Sequence, residues 1–245
     1  MSLTKKSFLI FTLALLLIAP TLAVTAQSNS DSGGSQQKTV LATVNGSSIT
    51  KRELSQNAQI YPIIMTLSRQ FRKFGQFLMS SEAGQNFLEE YKKYVLDDMI
   101  NQEIQKQKIE ELGVTVSEED VQQQIDQIIE QNKQFKDEQS LKDYLKKNQK
   151  MSLEDLKSRI RESLKSKKLR EEVTNDVTVT EEEINSYYEK NKKSFTDDEG
   201  NVKPLEDVKS QIESTIEGRK RNQKFQSWLK QAREEAEIEK SMDKI

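Results

Sequence analysis

Apolar residues recur at three- and four-residue intervals along most of the chain, which is the spacing of amphipathic helices. The stripes run from Phe87 to Leu112, Val121 to Ile129, Leu141 to Leu145, Leu153 to Val173, Ile184 to Tyr188 and Leu205 to Leu229. Each stripe is narrow and is backed by charged residues, so these helices cannot pack into one thick globule. We therefore expect a mainly α fold in which several helices form an extended arrangement.

One octet occurs twice with little change, as VTVSEEDV at residues 114–121 and as VTVTEEEI at residues 177–184. In each, an extended segment precedes a hydroxyl residue with an acid three positions later, which is the pattern of a helix capping box. The same spacing joins Thr50 to Glu53, Ser117 to Asp120, Ser152 to Asp155 and Thr180 to Glu183. A divalent-metal site is the alternative, but consecutive acids on a helix point in different directions. We therefore interpret the octets as helix N-termini and predict no metal site.

A single clear strand signal stands near the N-terminus, in TVLATVNGSSIT at residues 39–50. Val40, Ala42 and Val44 alternate along it, as in a strand that is buried on at least one face. Asn45-Gly46 is a tight-turn dipeptide. The segment therefore predicts a small β element at the start of the helical domain.

The first 26 residues have the zones of a secretory signal peptide: Lys5 and Lys6, an apolar core from Phe8 to Ala19, and small residues before position 26. The core is shorter than the roughly 20 residues that a membrane span needs, which favours cleavage over the alternative of a retained anchor. Residues 27–38 are rich in Ser, Gly and Gln and predict a flexible linker. The helical domain is then expected over residues 39–245.

Composition excludes several classes of function. The chain has no His and no Cys, which removes the commonest general base, the usual nucleophile pairs and thiolate or imidazole metal sites. Its 38 basic and 40 acidic residues leave it mildly acidic, so we do not expect nucleic-acid binding. We also expect no stable membrane insertion after signal cleavage. A Gly-rich phosphate loop does not occur, and we predict no cofactor.

Five segments, taken in order, resemble the SurA/PrsA-type extracytoplasmic chaperones, whose core also looks like the chaperone part of trigger factor. They are residues 42–54, with the strand, the Asn-Gly turn and the first helix, then 95–103, 113–121, 177–188, and 225–229 together with 236–239. The resemblance spans about residues 39–239. It implies that the strand at Ala236 to Glu239 returns to pair near Val40 to Val44.

The chain departs from the family pattern where relatives carry a parvulin isomerase domain. Only seven residues separate Phe195 from Lys203, and residues 196–203 leave no room for such an insert. The resemblance therefore implies a chaperone core without a catalytic domain, and we predict no enzymatic activity and no catalytic residues.

We expect an ATP-independent holdase that binds unfolded or exported polypeptides through exposed apolar surface, outside the cytoplasm, either in a periplasm or as a secreted protein. The best candidate surface is residues 60–81, although helical spacing favours core over client surface there. The candidate peptide-binding residues are Tyr61, Ile64, Met65, Phe71, Phe74, Phe77 and Met79. Phe225 and Trp228 are interpreted as anchors of the last helix rather than as binding residues.

Two other functions stay open at this stage. An isomerase-family enzyme would use the paired acids at residues 118–120 or 181–183 as general acid and base. A helical adaptor protein would bind one partner through its long helices. Oligomerisation also stays open.

Overall fold

A computed structural model describes residues 39–197 and 199–245. The predicted signal peptide at residues 1–26 and the predicted linker at residues 27–38 lie outside the described residues. The strands are β1 (Val40–Val44), β2 (Ser47–Thr50) and β3 (Ile238–Lys240). The helices are α1 (Lys51–Ala58), α2 (Ile60–Gln70), α3 (Arg72–Ser80), α4 (Glu82–Glu111), α5 (Glu118–Gln131), α6 (Glu138–Tyr144), α7 (Leu153–Val173), α8 (Glu181–Asn191) and α9 (Leu205–Glu235). The prediction of a mainly α fold with a small β element is confirmed.

The two ends of the described chain meet in one antiparallel sheet with strand order β2-β1-β3. Strands β1 and β2 form a hairpin whose turn needs two positive φ angles, 47° at Asn45 and 85° at Gly46. Strand β3 pairs with β1 and places Ile238 opposite Val44. The predicted return of the C-terminal strand is confirmed, although the strand begins two residues later than Ala236.

All four predicted capping boxes are present, at Thr50, Ser117, Ser152 and Thr180. In each, the hydroxyl oxygen accepts the backbone N–H of the acid three residues later, and that acid accepts the N–H of the capping residue. This satisfies donors that a helix N-terminus otherwise leaves unpaired. One further capping box, not predicted from the sequence, lies at the start of α6, where Asp137 is the capping residue and Ser140 is the third residue of the helix.

In both octets the capping acid also binds a lysine from a later long helix. Lys168 on α7 donates to the Asp120 carboxylate at 2.9 Å and to the carbonyl oxygen of Thr115 at 3.2 Å. Lys220 on α9 makes the same two contacts in the second octet, with the Glu183 carboxylate at 2.8 Å and the backbone carbonyl of residue 178 at 2.6 Å. Each octet therefore starts a helix and fastens it to the helix that packs beside it.

Buried side chains form four separate clusters instead of one core. The first joins the sheet to α1, α4 and α9, the second joins α5, α6 and α7, and the third joins α8 to the first half of α9. A small fourth cluster of Ile109, Leu169 and Phe225 lies where α4, α7 and α9 meet. Phe225 is buried there, which confirms its interpretation as an anchor.

The connection from α8 to α9 is short. Thr196 and Val202 form an isolated antiparallel bridge, and the Lys203 N–H donates to the carbonyl oxygen of Phe195 at 2.7 Å. The hydroxyl of Tyr188 donates to the carbonyl oxygen of Lys203 at 2.6 Å and holds the end of the loop against α8.

In residues 39–197 and 199–245, no helix is both long enough and apolar enough to span a bilayer.

Helix α4 is present as predicted, but its predicted apolar stripe is fully buried only at Met99. Phe87, Tyr94 and Leu112, which the sequence analysis placed on the apolar stripe, are exposed. The buried residues of its second half are Leu96, Met99, Ile100, Ile104 and Ile109. At 3.6 residues per turn, the Phe87 and Tyr94 side chains lie roughly opposite to those of Leu96 and Ile100. The core therefore covers α4 only in its second half, and there only on the face that carries Leu96 and Ile100.

Candidate functional site

The apolar arm, as we call residues 60–94, comprises α2, α3 and the first half of α4. None of the four clusters of buried side chains includes a residue of this segment. Of the twelve large hydrophobic residues that are exposed in the described part of the chain, nine belong to the arm. These nine, which we call the apolar surface, are Tyr61, Ile63, Met65, Phe71, Phe74, Phe77, Met79, Phe87 and Tyr94.

Sharp local breaks define the arm. Gln59 adopts a left-handed conformation, with φ of 46°, between α1 and α2, and Phe71 alone separates α2 from α3. Ser81 then caps α4, because its hydroxyl oxygen accepts the backbone N–H of Gly84 at 3.0 Å. At these three positions the helical backbone is interrupted. Helix α2 packs on α3, and α3 packs on the start of α4.

Two glycines let these helices approach closely. A Cβ atom on Gly75 would lie 2.0 Å from the side-chain oxygen of Ser68 on α2. A Cβ atom on Gly84 would lie 2.2 Å from the carbonyl oxygen of Phe77 on α3. The arm is therefore held by backbone approach and by two buried apolar side chains, Ile64 and Leu78, instead of by a broad core.

Six of the seven predicted peptide-binding residues lie on the apolar surface. Ile64 is the exception: it is only 7% exposed and packs inside the arm, so it is corrected from a binding residue to a packing residue. The buried side is narrow: α2 has a single buried residue, Ile60 and Leu67 are half-buried, and Tyr61, Ile63 and Met65 are exposed. The expectation that this segment is mostly core was wrong.

The aromatic rings of α3 form the densest part of the apolar surface. The rings of Phe74 and Phe77 lie nearly parallel, with centroids 6.2 Å apart. Phe71 is 60% exposed, and Met79 is 58% exposed. Methionine side chains adapt their shape to different partners, so this surface suits contacts with many apolar sequences.

Phe87 and Tyr94 are exposed on the arm, although neither was predicted as a binding residue. They are seven positions apart on α4 and therefore lie on one face of the helix. The available signal was a helical wheel, which separates their face from that of Leu96 and Ile100 by about half a turn. Leu96 and Ile100 belong to the core, whereas Phe87 and Tyr94 extend the exposed aromatic area along the arm.

Charge is distributed unevenly along the arm. Residues 54–81 contain no Asp or Glu, whereas Arg69, Arg72 and Lys73 are all exposed there. Farther along α4, Lys93 donates to the Glu90 carboxylate at 2.8 Å, and the hydrogen bonds from Lys93 to Glu90 and Glu89 raise the pKa of Lys93. The part of the arm richest in aromatic rings is thus positive, and the part along α4 is mixed.

One acid in each octet, Asp120 and Glu183, is held in its ionised form by hydrogen bonds. Hydrogen bonds from Lys168 and Ser117 lower the pKa of Asp120. Hydrogen bonds from Lys220 and Thr180 likewise lower the pKa of Glu183. Both carboxylates are therefore ionised at neutral pH, and neither suits the role of proton donor. In the described part of the chain, no group of three or more acidic side chains is arranged to hold a metal ion.

The chain folds into a helical domain whose N-terminal and C-terminal strands pair in one small sheet, and this domain carries an exposed apolar arm. A family model for the SurA-like N-terminal domain matches residues 1–170, and the chain belongs to this family.

Curated relatives agree with this assignment. The foldase protein PrsA of Clostridium botulinum strain Hall is 28% identical over 162 residues, which cover 65% of this chain and 47% of the relative. PrsA of Clostridium kluyveri is also 28% identical, over 168 residues, which cover 65% of this chain and 48% of the relative. The match thus spans about half the length of these curated relatives.

The structural comparison shows the fold alone. A chain from a study of PEB4 and Cj1289, two SurA-like chaperones of Campylobacter jejuni, superposes with a TM-score of 0.59 at 13% sequence identity. The superposition covers 83% of this chain and 99% of the other. The SurA-like fold therefore extends beyond the residues that the family model matches.

Proposed function

We propose that the protein is an ATP-independent chaperone that holds unfolded polypeptides on the apolar surface of the arm. The single observation that carries the proposal is the concentration there of nine of the twelve exposed large hydrophobic residues of the described chain. Soluble proteins seldom leave large apolar patches exposed unless the patch binds something. Membership of the SurA-like family, with relatives that are named foldases, supports a polypeptide as the ligand.

The proposed binding is weak and general. Burying a Phe or Met side chain contributes about 1.5–3 kcal/mol before the costs of ordering the client. Several such contacts give transient affinity without requiring a defined client sequence. The charged surfaces of α5, α7 and α9 would keep the loaded protein soluble.

Holding clients, in this proposal, needs no chemical step. The short connection between Phe195 and Lys203, and the ionised state of Asp120 and Glu183, support a chaperone core without isomerase activity. We also propose that the protein works outside the cytoplasm, with residues 1–26 as its export signal. The zones of that segment support this location.

The test is suppression of aggregation of several unrelated unfolded proteins, measured by light scattering without ATP. Wild-type protein should suppress aggregation at near-stoichiometric ratios. A variant with Phe71, Phe74 and Phe77 replaced by Ser should lose most of this effect, because it removes the densest part of the apolar surface. These side chains are exposed, so the variant should keep its helical circular dichroism.

A matched control replaces three exposed hydrophobic residues outside the arm, Leu112, Val202 and Met242, by Ser. This control removes similar exposed apolar area and should suppress aggregation like the wild type. If the two triple variants behave alike, the arm is not the binding surface. If wild-type protein protects none of the clients, the chaperone proposal fails and an adaptor function is favoured.

A further inference from the structure

Three basic residues stand in the aromatic part of the arm, in a stretch of chain that contains no acid. Arg69, Arg72 and Lys73 are exposed, and they take part in none of the ion pairs found within residues 39–197 and 199–245. About one residue in six of the whole chain is acidic, yet residues 54–81 contain no acid. The three cations are thus free, within the described chain, to pair with a ligand.

These cations are close neighbours of the exposed aromatic residues in the sequence. Arg72 and Lys73 fill the two positions between Phe71 and Phe74, and Arg69 precedes Phe71 by two residues. All five side chains are exposed within a stretch of six residues, 69–74, so a bound segment that runs over this stretch can contact both rings and cations. An extended client advances about 3.3 Å per residue, so an acid one to three positions from its apolar anchor can meet them. Arginine adds planar, two-point recognition of carboxylates.

We propose that the arm selects apolar segments of unfolded polypeptides that are flanked by aspartate or glutamate. This inference rests on the proposed chaperone function and adds the class of client segment. Apolar contact with the rings supplies most of the affinity, and the cations discriminate between segments of equal apolar content. Segments flanked by lysine or arginine are disfavoured, because like charges repel at short range.

A polypeptide fits the charge pattern better than an anionic membrane surface does. A bilayer would face the whole arm, including exposed Glu82, Glu89 and Glu90 on α4, which an anionic lipid surface repels. A peptide chain is narrow enough to contact residues 69–77 while avoiding those acids. Lipid binding is therefore kept as an outcome of the test.

The experiment measures binding of three fluorescent peptides by anisotropy. The peptides share one apolar, aromatic centre and differ in flanks of Asp, Asn or Lys. At low ionic strength the Asp-flanked peptide should bind about fivefold more tightly than the Asn-flanked one, since an exposed ion pair contributes up to about 1 kcal/mol. The Lys-flanked peptide should bind most weakly. The differences should shrink at about 0.5 M salt, where screening is strong, whereas apolar binding should persist.

Charge reversal provides the decisive comparison. A variant with Arg69→Glu, Arg72→Glu and Lys73→Glu should invert the order, so that the Lys-flanked peptide binds best. The matched control reverses Lys142, Lys146 and Lys147, which are also exposed and unpaired within the described chain, and it should keep the wild-type order. Both variants are checked by circular dichroism and by unfolding.

The outcomes separate the inference from the function on which it rests. Equal binding of all three peptides overturns the charge preference and leaves the chaperone proposal standing. Binding of none of them overturns both. If the protein binds phosphatidylserine vesicles through the same three cations while showing no preference among the peptides, the charge serves a lipid surface and the inference is wrong.

Discussion

Asp97 fastens the C-terminal elements to the long helix α4. Its carboxylate accepts hydrogen bonds from Arg233 on α9 at 2.8 Å and from Lys240 on β3 at 2.5 Å. Partial burial acts to raise the pKa of Asp97, but the hydrogen bonds from Lys240 and Arg233 outweigh it, and the pKa lies below its ordinary value of 3.8. The folded state therefore favours the ionised carboxylate, and this preference contributes to stability.

We expect Asp97→Asn to lower the free energy of unfolding at pH 7 by about 0.5–1 kcal/mol, a range kept small because the pair is half exposed and screened by solvent. A lowered pKa stabilises the folded state above the unfolded pKa and stops doing so as the pH falls through the folded pKa. The difference between wild type and variant should thus be constant from pH 7 to about pH 5 and should shrink below about pH 4. Urea unfolding at a series of pH values measures it.

A suitable control is Asp126→Asn, since Asp126 is exposed, lies in the interior of α5 and joins no ion pair within the described residues. It should change stability little at any pH. A difference between wild type and Asp97→Asn that stays constant down to about pH 2 would show that the carboxylate's charge is not what stabilises this contact.

Residue-scale contacts were predictable only where they are local. Ser117 and Asp120, or Thr180 and Glu183, are three positions apart, so a pattern in the sequence identifies the capping box. The lysine that binds the capping acid lies far along the chain: 48 positions separate Lys168 from Asp120. No local pattern indicates such a partner, because it depends on which helices pack together.

At the scale of elements, the arm owes its geometry to close contacts between short helices. A Cβ on Gly84 would meet backbone atoms of α3, at 2.2 Å from the Phe77 oxygen and 2.6 Å from the Leu78 Cα. Backbone atoms cannot rotate away as a flexible side chain can, so the helices themselves would have to separate. The presentation of the apolar surface thus depends on a position that carries no side chain.

We predict that Gly84→Ala separates α3 from α4 and destabilises the arm by roughly 1–3 kcal/mol, as overpacked sites do. Hydrogen exchange should show lost amide protection in α2 and α3, with protection of α7 unchanged. Gly218→Ala is the matched control, because Gly218 lies within α9 and a Cβ there meets nothing within 4 Å. That control should stabilise the protein by up to about 1 kcal/mol through helix propensity. Equal effects of the two substitutions would contradict the close approach of α3 and α4.

The sequence indicated the helices of the arm but not their exposure. Within α2 and within α3, apolar residues recur at helical spacing, which identifies each helix and the face that its apolar residues share. Whether another element covers that face is a property of the whole fold. Residues 60–81 precede α4, whose inner face is already covered by the sheet and α9, so no core surface is left for them.

At the scale of the whole molecule, one small cluster connects three larger ones. Phe225 stacks against Trp228 with ring centroids 5.4 Å apart, and the Arg170 guanidinium lies 4.1 Å from the Phe225 ring centroid. Ile109 and Leu169 complete the contact between α4, α7 and α9. The narrow stripes along the sequence predicted thin helices, but they did not indicate this junction, because residues 109, 169 and 225 belong to separate stripes.

We predict that Phe225→Ala destabilises the protein. It should also weaken the coupling between the α5–α7 cluster and the cluster of the sheet, α1, α4 and α9. Removing a buried Phe leaves a cavity and costs about 3–5 kcal/mol. Because the α5–α7 cluster keeps its own buried residues, it should then unfold at a different denaturant concentration from the sheet, α1 and α4. Hydrogen exchange followed by mass spectrometry at increasing denaturant resolves the two regions.

Phe135→Ala is the matched comparison, since Phe135 is also a buried phenylalanine but lies inside the α5–α7 cluster. It should destabilise that cluster alone and leave the exchange of α4 and α9 near the wild-type pattern. If Phe225→Ala instead lowers protection of every helix by the same amount, the molecule unfolds as one cooperative unit and the junction does not couple separable parts.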